Sequence, residues 1–198
     1  KESKAAAMGR IYYIMGKSAT GKDTIYKELL KRCPFLKTIV PYTTRPIREG
    51  ETNGVEYFFT SARELKRLKK MGNVIESRTY QTVMGPWSYF TVDDAQFDLQ
   101  GDSSYLMIGT LESYEKMCLY FGKDILVPVY IEVPDGLRLH RAMEREEIQK
   151  FPNYREVCRR YLADEEDFSE ENLKRLQIEK RFLNLNLGQC LEEILKEI

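Results

Sequence analysis

The stretch RIYYIMGKSATGKDTIYKELLKRC, Arg10 to Cys33, constrains this chain more than any other. RIYYIMG is a short β-branched and aromatic run ending on a glycine, the pattern of a strand. DTIYKELLKRC carries Ile25, Leu29 and Cys33 at i, i+4 and i+8, the spacing of one helix face. Between them lie Gly16, four free positions, and Gly21-Lys22. A strand, a glycine loop and a helix in that order converge backbone N–H groups and the positive end of a helix dipole on one point, which suits a phosphate. Lys22 adds a charge with the reach to meet β- and γ-phosphates. A glycine-rich turn with an exposed lysine is the bland alternative, and the flanking strand and helix argue against it.

One residue departs from the usual loop. The position after Lys22, where a hydroxyl normally holds magnesium, is Asp23. A carboxylate beside a triphosphate adds repulsion of about 4 kcal/mol at 4 Å and a dielectric of 20. A magnesium ion between them reverses the sign, because carboxylates are good hard-oxygen ligands. Asp23 is thus a candidate Mg²⁺ ligand, with decoration of the helix N-terminus as the alternative. Thr24 cannot take over the hydroxyl role, since one residue turns a helical side chain by about 100°.

Further apolar runs at Thr38–Val40, Tyr105–Ile108 and Ile125–Val133, mostly separated by helical patterns, predict an α/β fold with a parallel sheet covered by helices. Ser61 with Glu64 predicts a capped helix through SARELKRLKKM, ended by Gly72. Leu111–Phe121 and Gln189–Ile198 are further helix expectations. ADEEDFSEENLKRLQIEK alternates in sign and predicts an exposed helix laced with local ion pairs. Trp87, Tyr89 and Phe90 are expected to pack a loop against the core.

Lys+Arg and Asp+Glu both number 31, so no general field draws the chain to nucleic acid or a membrane surface. The basic face of RELKRLKK lacks interleaved aromatics and does not read as a nucleic-acid site. Four scattered cysteines without a CxxC pair, and His140 as the only histidine, argue against a zinc site or a disulfide scaffold. They read as reduced thiols of a cytoplasmic protein. No apolar run approaches a membrane span. Met8 reads as a natural start, so residues 1–8 are expected to be a tag remnant or a disordered start. The sequence is silent on oligomeric state.

Two further stretches carry chemistry. In TTRPIREGETNGVEYFF, Thr43 to Phe59, Arg45 and Arg48 bracket a proline, paired guanidinium groups that suit a bidentate grip on a monophosphate; a solvated basic loop is the alternative. From Asp135 to Phe168 arginines accumulate, and Arg138, Arg141 and Arg145 fall at i, i+3 and i+7 on one helix face.

GKSATGKDT, TTRPIREGETNGVEYFF, VIES and the arginine-bearing LRLHRAMER with CRRYL occur in the order seen in guanylate kinases, and the resemblance covers nearly the whole chain from Arg10. It implies a P-loop kinase core (9–40, 100–134 and 166–198), a small mixed nucleoside-monophosphate-binding region (41–99) and a helical lid (135–165). The implied reaction moves the γ-phosphoryl of ATP to GMP, with Mg²⁺ accompanying ATP. By similarity, ATP would lie against Gly16, Ser18, Ala19, Thr20, Gly21, Lys22, Asp23 and Thr24, with Asn186 near the adenine. Arg45, Arg48 and Tyr57 would hold the acceptor phosphate, Glu51 would support that loop, and Glu76 would accept hydrogen bonds from guanine. Lys22, Arg45, Arg141, Arg145 and Arg160 would stabilise the transferring phosphoryl.

The departures fall at functional places. Pro41 stands where the family commonly has a base-reading serine. Met84-Gly85-Pro86 replaces a tyrosine-glycine-hydroxyl trio, with Tyr80 or Trp87 as partial substitutes. Met107-Ile108-Gly109 replaces an acidic Asp-x-Asp. These losses leave two alternatives beside GMP phosphorylation: a kinase acting on a different nucleotide or small phosphate, and an inactive nucleotide-binding or interaction module.

Overall fold

The computed structural model describes residues 9–82, 84–99 and 101–198, so the expectation about residues 1–8 lies outside them. In chain order the elements are β1 (Ile11–Met15), α1 (Lys22–Arg32), β2 (Lys37–Thr38), β3 (Tyr42–Thr43), β4 (Phe58–Phe59), α2 (Ala62–Lys70), β5 (Val74–Thr82) and β6 (Gly85–Val92). They continue with β7 (Tyr105–Ile108), α3 (Leu111–Phe121), β8 (Leu126–Glu132), α4 (Asp135–Glu147), α5 (Tyr154–Asp167), α6 (Glu170–Arg175), β9 (Arg181–Leu183) and α7 (Leu187–Leu195).

β1 is buried along its whole length and forms the centre of a parallel sheet in the order β2-β7-β1-β8-β9. Its alternation divides the core. Ile11, Tyr13 and Met15 face a cluster with Tyr114 and Met117 of α3 and with Phe168 and Leu173. Tyr12 and Ile14 face the other cluster, with Ile25 and Leu29 of α1 and Cys190, Leu191 and Ile194 of α7. Helices on both faces explain why β1 is apolar at every position rather than at alternate ones. The α/β expectation is borne out.

A second sheet, in the order β4-β3-β6-β5, pairs β3 and β4 in parallel and the rest antiparallel. Leu65 and Leu68 of α2 close it against Phe90 and Val92. The Ser61 hydroxyl accepts from Glu64 N–H, as the sequence predicts. Among the described residues no helix is long and apolar enough to cross a membrane.

Two expectations need correction. Trp87, Tyr89 and Phe90 do not form a loop: they belong to β6, which pairs with β5 from Val74 to Thr82 and buries Ser88 and Phe90 on one face. Period-two burial, not the Gly85-Pro86 breaker signal, decides this segment. Nor is ADEEDFSEENLKRLQIEK one exposed helix. The helix stops at Asp167 because Phe168 turns inward, with its ring stacked on Tyr130 at 5.5 Å, and Ser169 then caps α6.

Candidate active site

The loop from Gly16 to Gly21 joins the carboxyl end of β1 to the N-terminus of α1. Gly21 has φ +84°, and a Cβ there would lie 2.6 Å from Asn184 Nδ2. Both facts require glycine. Ala19 has φ +63° despite carrying a side chain, a conformation that costs a non-glycine residue roughly 1–2 kcal/mol. The loop is held in place from several sides. Thr20 donates its hydroxyl to Lys17 O at 2.8 Å, and Asn184 donates Nδ2 to Thr20 O at 2.8 Å. Arg141 donates from both terminal nitrogens to Asn184 O at 3.3 Å, so α4 is tied to the loop through one asparagine.

A second set of ties comes from α5. Asp164 accepts the Ser18 N–H at 2.7 Å, and Glu165 accepts from Lys17 Nζ at 2.8 Å. Arg138 sits behind both, fully buried, paired with Asp164 at 3.3 Å and Asp135 at 3.1 Å, bonded to Glu165, and 4.2 Å over the Tyr161 ring. The three arginines at i, i+3 and i+7 therefore have different surroundings: Arg138 is inside, Arg141 is half-buried on Asn184, and Arg145 is exposed. Arg160 is exposed on α5 and donates Nε to Glu156 at 2.8 Å. Arg159 first, and Arg160 with it, hold the Glu156 carboxyl at about 2.

Lys22 opens α1, with Asp23 exposed in its first turn and Thr24 beside it. Among the described residues neither Lys22 nor Asp23 makes an ion pair, and no group of three metal-type ligands exists. A single hard-oxygen ligand at a helix N-terminus fits a magnesium ion brought with nucleotide phosphates rather than one caged by protein. A cavity of about 470 Å³ lies against the loop at Lys17 and Thr20, with Glu132, Asp135, Glu165 and Glu170 around it; it includes neither Lys22 nor any residue of the Arg45 cluster.

In the second sheet, Arg45 is buried and bidentate to Glu51, at 2.8 and 2.5 Å. Its guanidinium lies 5.2 Å from the Tyr57 ring centre and 5.4 Å from that of Phe59. The Arg45 guanidinium holds the Glu51 carboxyl at about 2, helped by the N–H of Arg48. Arg48 itself is exposed. Glu76 is buried, and its Oε1 accepts the Thr91 hydroxyl at 2.9 Å.

Several functional groups lay beyond the sequence reading. Asn186 caps α7 by accepting Gln189 N–H, whereas Asn184, two residues earlier, touches the loop. Tyr89 packs edge-on to Tyr57 and Tyr80 beside Arg45, where Tyr80 or Trp87 was expected as a partial substitute for the missing tyrosine. Arg78 lies beside Glu76 and donates to Thr110 at 2.7 Å, joining β5 to the carboxyl end of β7. A period-two pattern could have put Arg78 on the face of Glu76; nothing local distinguishes Asn184 from Asn186.

At the carboxyl end of β7, a Cβ on Gly109 would lie 2.1 Å from the Tyr13 hydroxyl oxygen and 2.9 Å from its ring. Burial pushes the Tyr13 phenol up, so it stays a neutral hydroxyl in that space. An acidic side chain at 109 has no room.

The guanylate kinase family model matches residues 8–93. A guanylate kinase of Rickettsia prowazekii is 30% identical over 145 residues, which cover 72% of this chain and 72% of that protein. The chain belongs to the guanylate kinase family. A guanylate kinase of Chlorobium luteolum aligns over 95% of this chain and 83% of its own length at 26% identity. The match to that of Rhodopirellula baltica is 40% identical but spans only 43% of the relative, so similarity is concentrated in one part of the chain. The crystal structure of guanylate kinase from Anaplasma phagocytophilum superposes with a TM-score of 0.65 over 96% of this chain and 84% of that one; at 17% identity it supports the fold alone.

Proposed function

We propose that the chain is an ATP-dependent nucleoside-monophosphate kinase that transfers the γ-phosphoryl of ATP to GMP. The observation that supports this reading is that the glycine loop and the Arg45 cluster both lie toward the carboxyl ends of the parallel strands. The Gly16–Lys22 loop leaves the carboxyl end of β1, and the second sheet, which carries Arg45 and Tyr57, reaches the carboxyl end of the neighbouring β7 through Arg78 and Thr110. Crevices at such carboxyl ends are where open α/β sheets bind ligands.

In this reading Gly16, Ser18, Ala19, Thr20, Gly21 and Thr24 surround the ATP phosphates, and Lys22 stabilises charge on the transferring group. Magnesium bound with ATP would supply charge neutralisation between the phosphates, and Asp23 would hold it. Region 41–99 binds the monophosphate: Arg45, Arg48 and Tyr57 grip its phosphate, Glu51 fixes Arg45, and Glu76 stands at the base. Helices α4 and α5, residues 135–165, act as a lid that brings Arg141, Arg145 and Arg160 toward the phosphoryl and excludes water. Asn184 rather than Asn186 links that lid to the loop.

The test is direct detection of nucleoside diphosphate from a panel of monophosphates with magnesium and ATP, with Lys22→Ala as background. Conversion of GMP that the variant abolishes supports the reading. ATP binding with no acceptor converted favours an interaction module, the alternative to which the crowded Gly109 position points.

A further inference from the structure

Arg78 is a largely buried charged side chain that neither the motif nor the proposed phosphate contacts use. It is 14% exposed, and Glu76 beside it is 1% exposed at the side chain. The two lie on the same face of β5, two residues apart, opposite Tyr89 and Thr91 of β6. Glu76 Oε1 is occupied by the Thr91 hydroxyl. Glu76 Oε2 stands 3.3 Å from Arg78 Nε, near enough for attraction but misaligned, so neither atom has a hydrogen-bond partner. The carboxylate is thus turned inside: one oxygen is satisfied and the other is sealed against a guanidinium. A buried carboxylate neutralised in this way is a poor acceptor for a ligand's amino group, because any N–H would first have to displace Arg78.

The guanidinium has the opposite character. It has five N–H donors on a planar fork and no acceptor. One end is anchored on Thr110 and the other is braced by Glu76, which fixes its plane at the junction of the two sheets. It lies within electrostatic reach of the Tyr13, Tyr80 and Tyr57 hydroxyls and of the Glu112 carboxylate. Position 109 adds no acid beside it, since Tyr13 fills that space, and Glu112, in the first turn of α3, is already paired with Lys116 at 2.6 Å. Pro41, at the start of β3, has neither a hydroxyl nor an N–H.

We infer that Arg78 reads the acceptor base, donating to an exocyclic carbonyl oxygen, with Glu76 as its positioning partner rather than as the reader of an amino group. This rests on the monophosphate-kinase reading for the location of the base. The substrate class it names is the 6-oxopurine monophosphates: GMP and IMP bind alike, because the 2-amino group meets no free carboxylate. AMP, with an amino donor where the carbonyl would be, places donor against donor and is rejected.

The experiment is calorimetric binding of GMP, IMP and AMP to the full chain and to its Arg78→Gln and Arg78→Lys variants, with the melting temperature of each. GMP and IMP are expected within about threefold of each other and AMP weaker by roughly tenfold or more, the value of one charged hydrogen bond. Arg78→Gln should weaken GMP and IMP by roughly ten- to a hundredfold while leaving AMP unchanged, and Arg78→Lys should restore part of the preference. GMP bound about tenfold more tightly than IMP, or a GMP-to-AMP ratio that Arg78→Gln leaves in place, overturns the inference. The GMP and IMP comparison needs no variant, so a misfolded Arg78→Gln does not shield it. Phosphoryl transfer is measured on the same samples: the expected binding pattern without product overturns the kinase reading and leaves the role of Arg78 standing.

Discussion

On the side proposed for the acceptor, Arg45 is buried, gripped twice by Glu51 and flanked by two aromatic rings; on the loop side, Lys22, Asp23 and Arg145 make no ion pair among the described residues. The loop is nevertheless anchored from behind, through Lys17, Ser18 and Thr20, by groups on α5 and by Asn184. The two regions thus divide the work of preorganisation differently. The acceptor side fixes the charged side chain itself. The loop side fixes the backbone and leaves its charges to be organised by what binds, which suits a partner that brings its own magnesium.

The sharpest way to break this comparison is Lys22→Ala. If the loop charge stabilises the transferring group, kcat falls by roughly 10²–10³-fold with the fold intact, as measured by steady-state ADP release. Removing the rear anchor is next. Arg138→Ala removes the buried cation shared by Asp135, Asp164 and Glu165, leaves them only Lys17 and the Ser18 N–H, and is expected to cost about 3 kcal/mol. At this chain length that lowers Tm by roughly 6–12 °C in calorimetry. A Tm within a degree of the parent would show that the anchor is ornamental.

Arg45→Ala tests the other side. If Arg45 grips the acceptor phosphate, its loss should raise the acceptor KM by roughly ten- to a hundredfold with a smaller change in the ATP KM. Asp23→Ala is expected to raise the magnesium concentration for half-maximal turnover by about threefold to tenfold, the modest effect of removing one ligand when phosphates supply the others. An unchanged magnesium dependence would return Asp23 to helix decoration.

The smallest effect concerns pH. Arg45 holds the Glu51 carboxyl at about 2, below the ordinary 4.5. Its contribution to stability is complete above that ordinary value and is lost as pH falls through about 2, because the unfolded chain takes up the proton first. Denaturation midpoints followed from pH 5 to 2 should therefore fall less steeply for Glu51→Gln than for the parent.

Much of the loop side was legible because local pattern decides it: the β1 run, the glycines and the α1 face are each set within a few residues. The ends of α3 were legible for the same reason. Residues whose role depends on a distant partner were not. Arginine content reads as surface, yet Arg138 is buried because Asp164 and Glu165 arrive from another helix to pair it. Asn184 and Asn186 are the same residue type two positions apart, and only the packing of β9 against the loop separates a contact from a cap. Glu76 was found by its motif, but its pairing with Arg78 depends on where the end of β7 meets β5.

The contact between Tyr13 and Gly109 has a consequence for any attempt to rebuild this site. An aspartate at 109 cannot be introduced alone, because its Cβ would overlap the Tyr13 hydroxyl. Shortening Tyr13 alone opens a void in the cluster it shares with Tyr114 and Met117, at a cost of about 3–5 kcal/mol. Each single step is harmful while the pair together can be accommodated, so the two positions should be strongly non-additive in a double-mutant cycle. The chain sits on one side of a mutational valley, with the acidic version of its own cleft on the other.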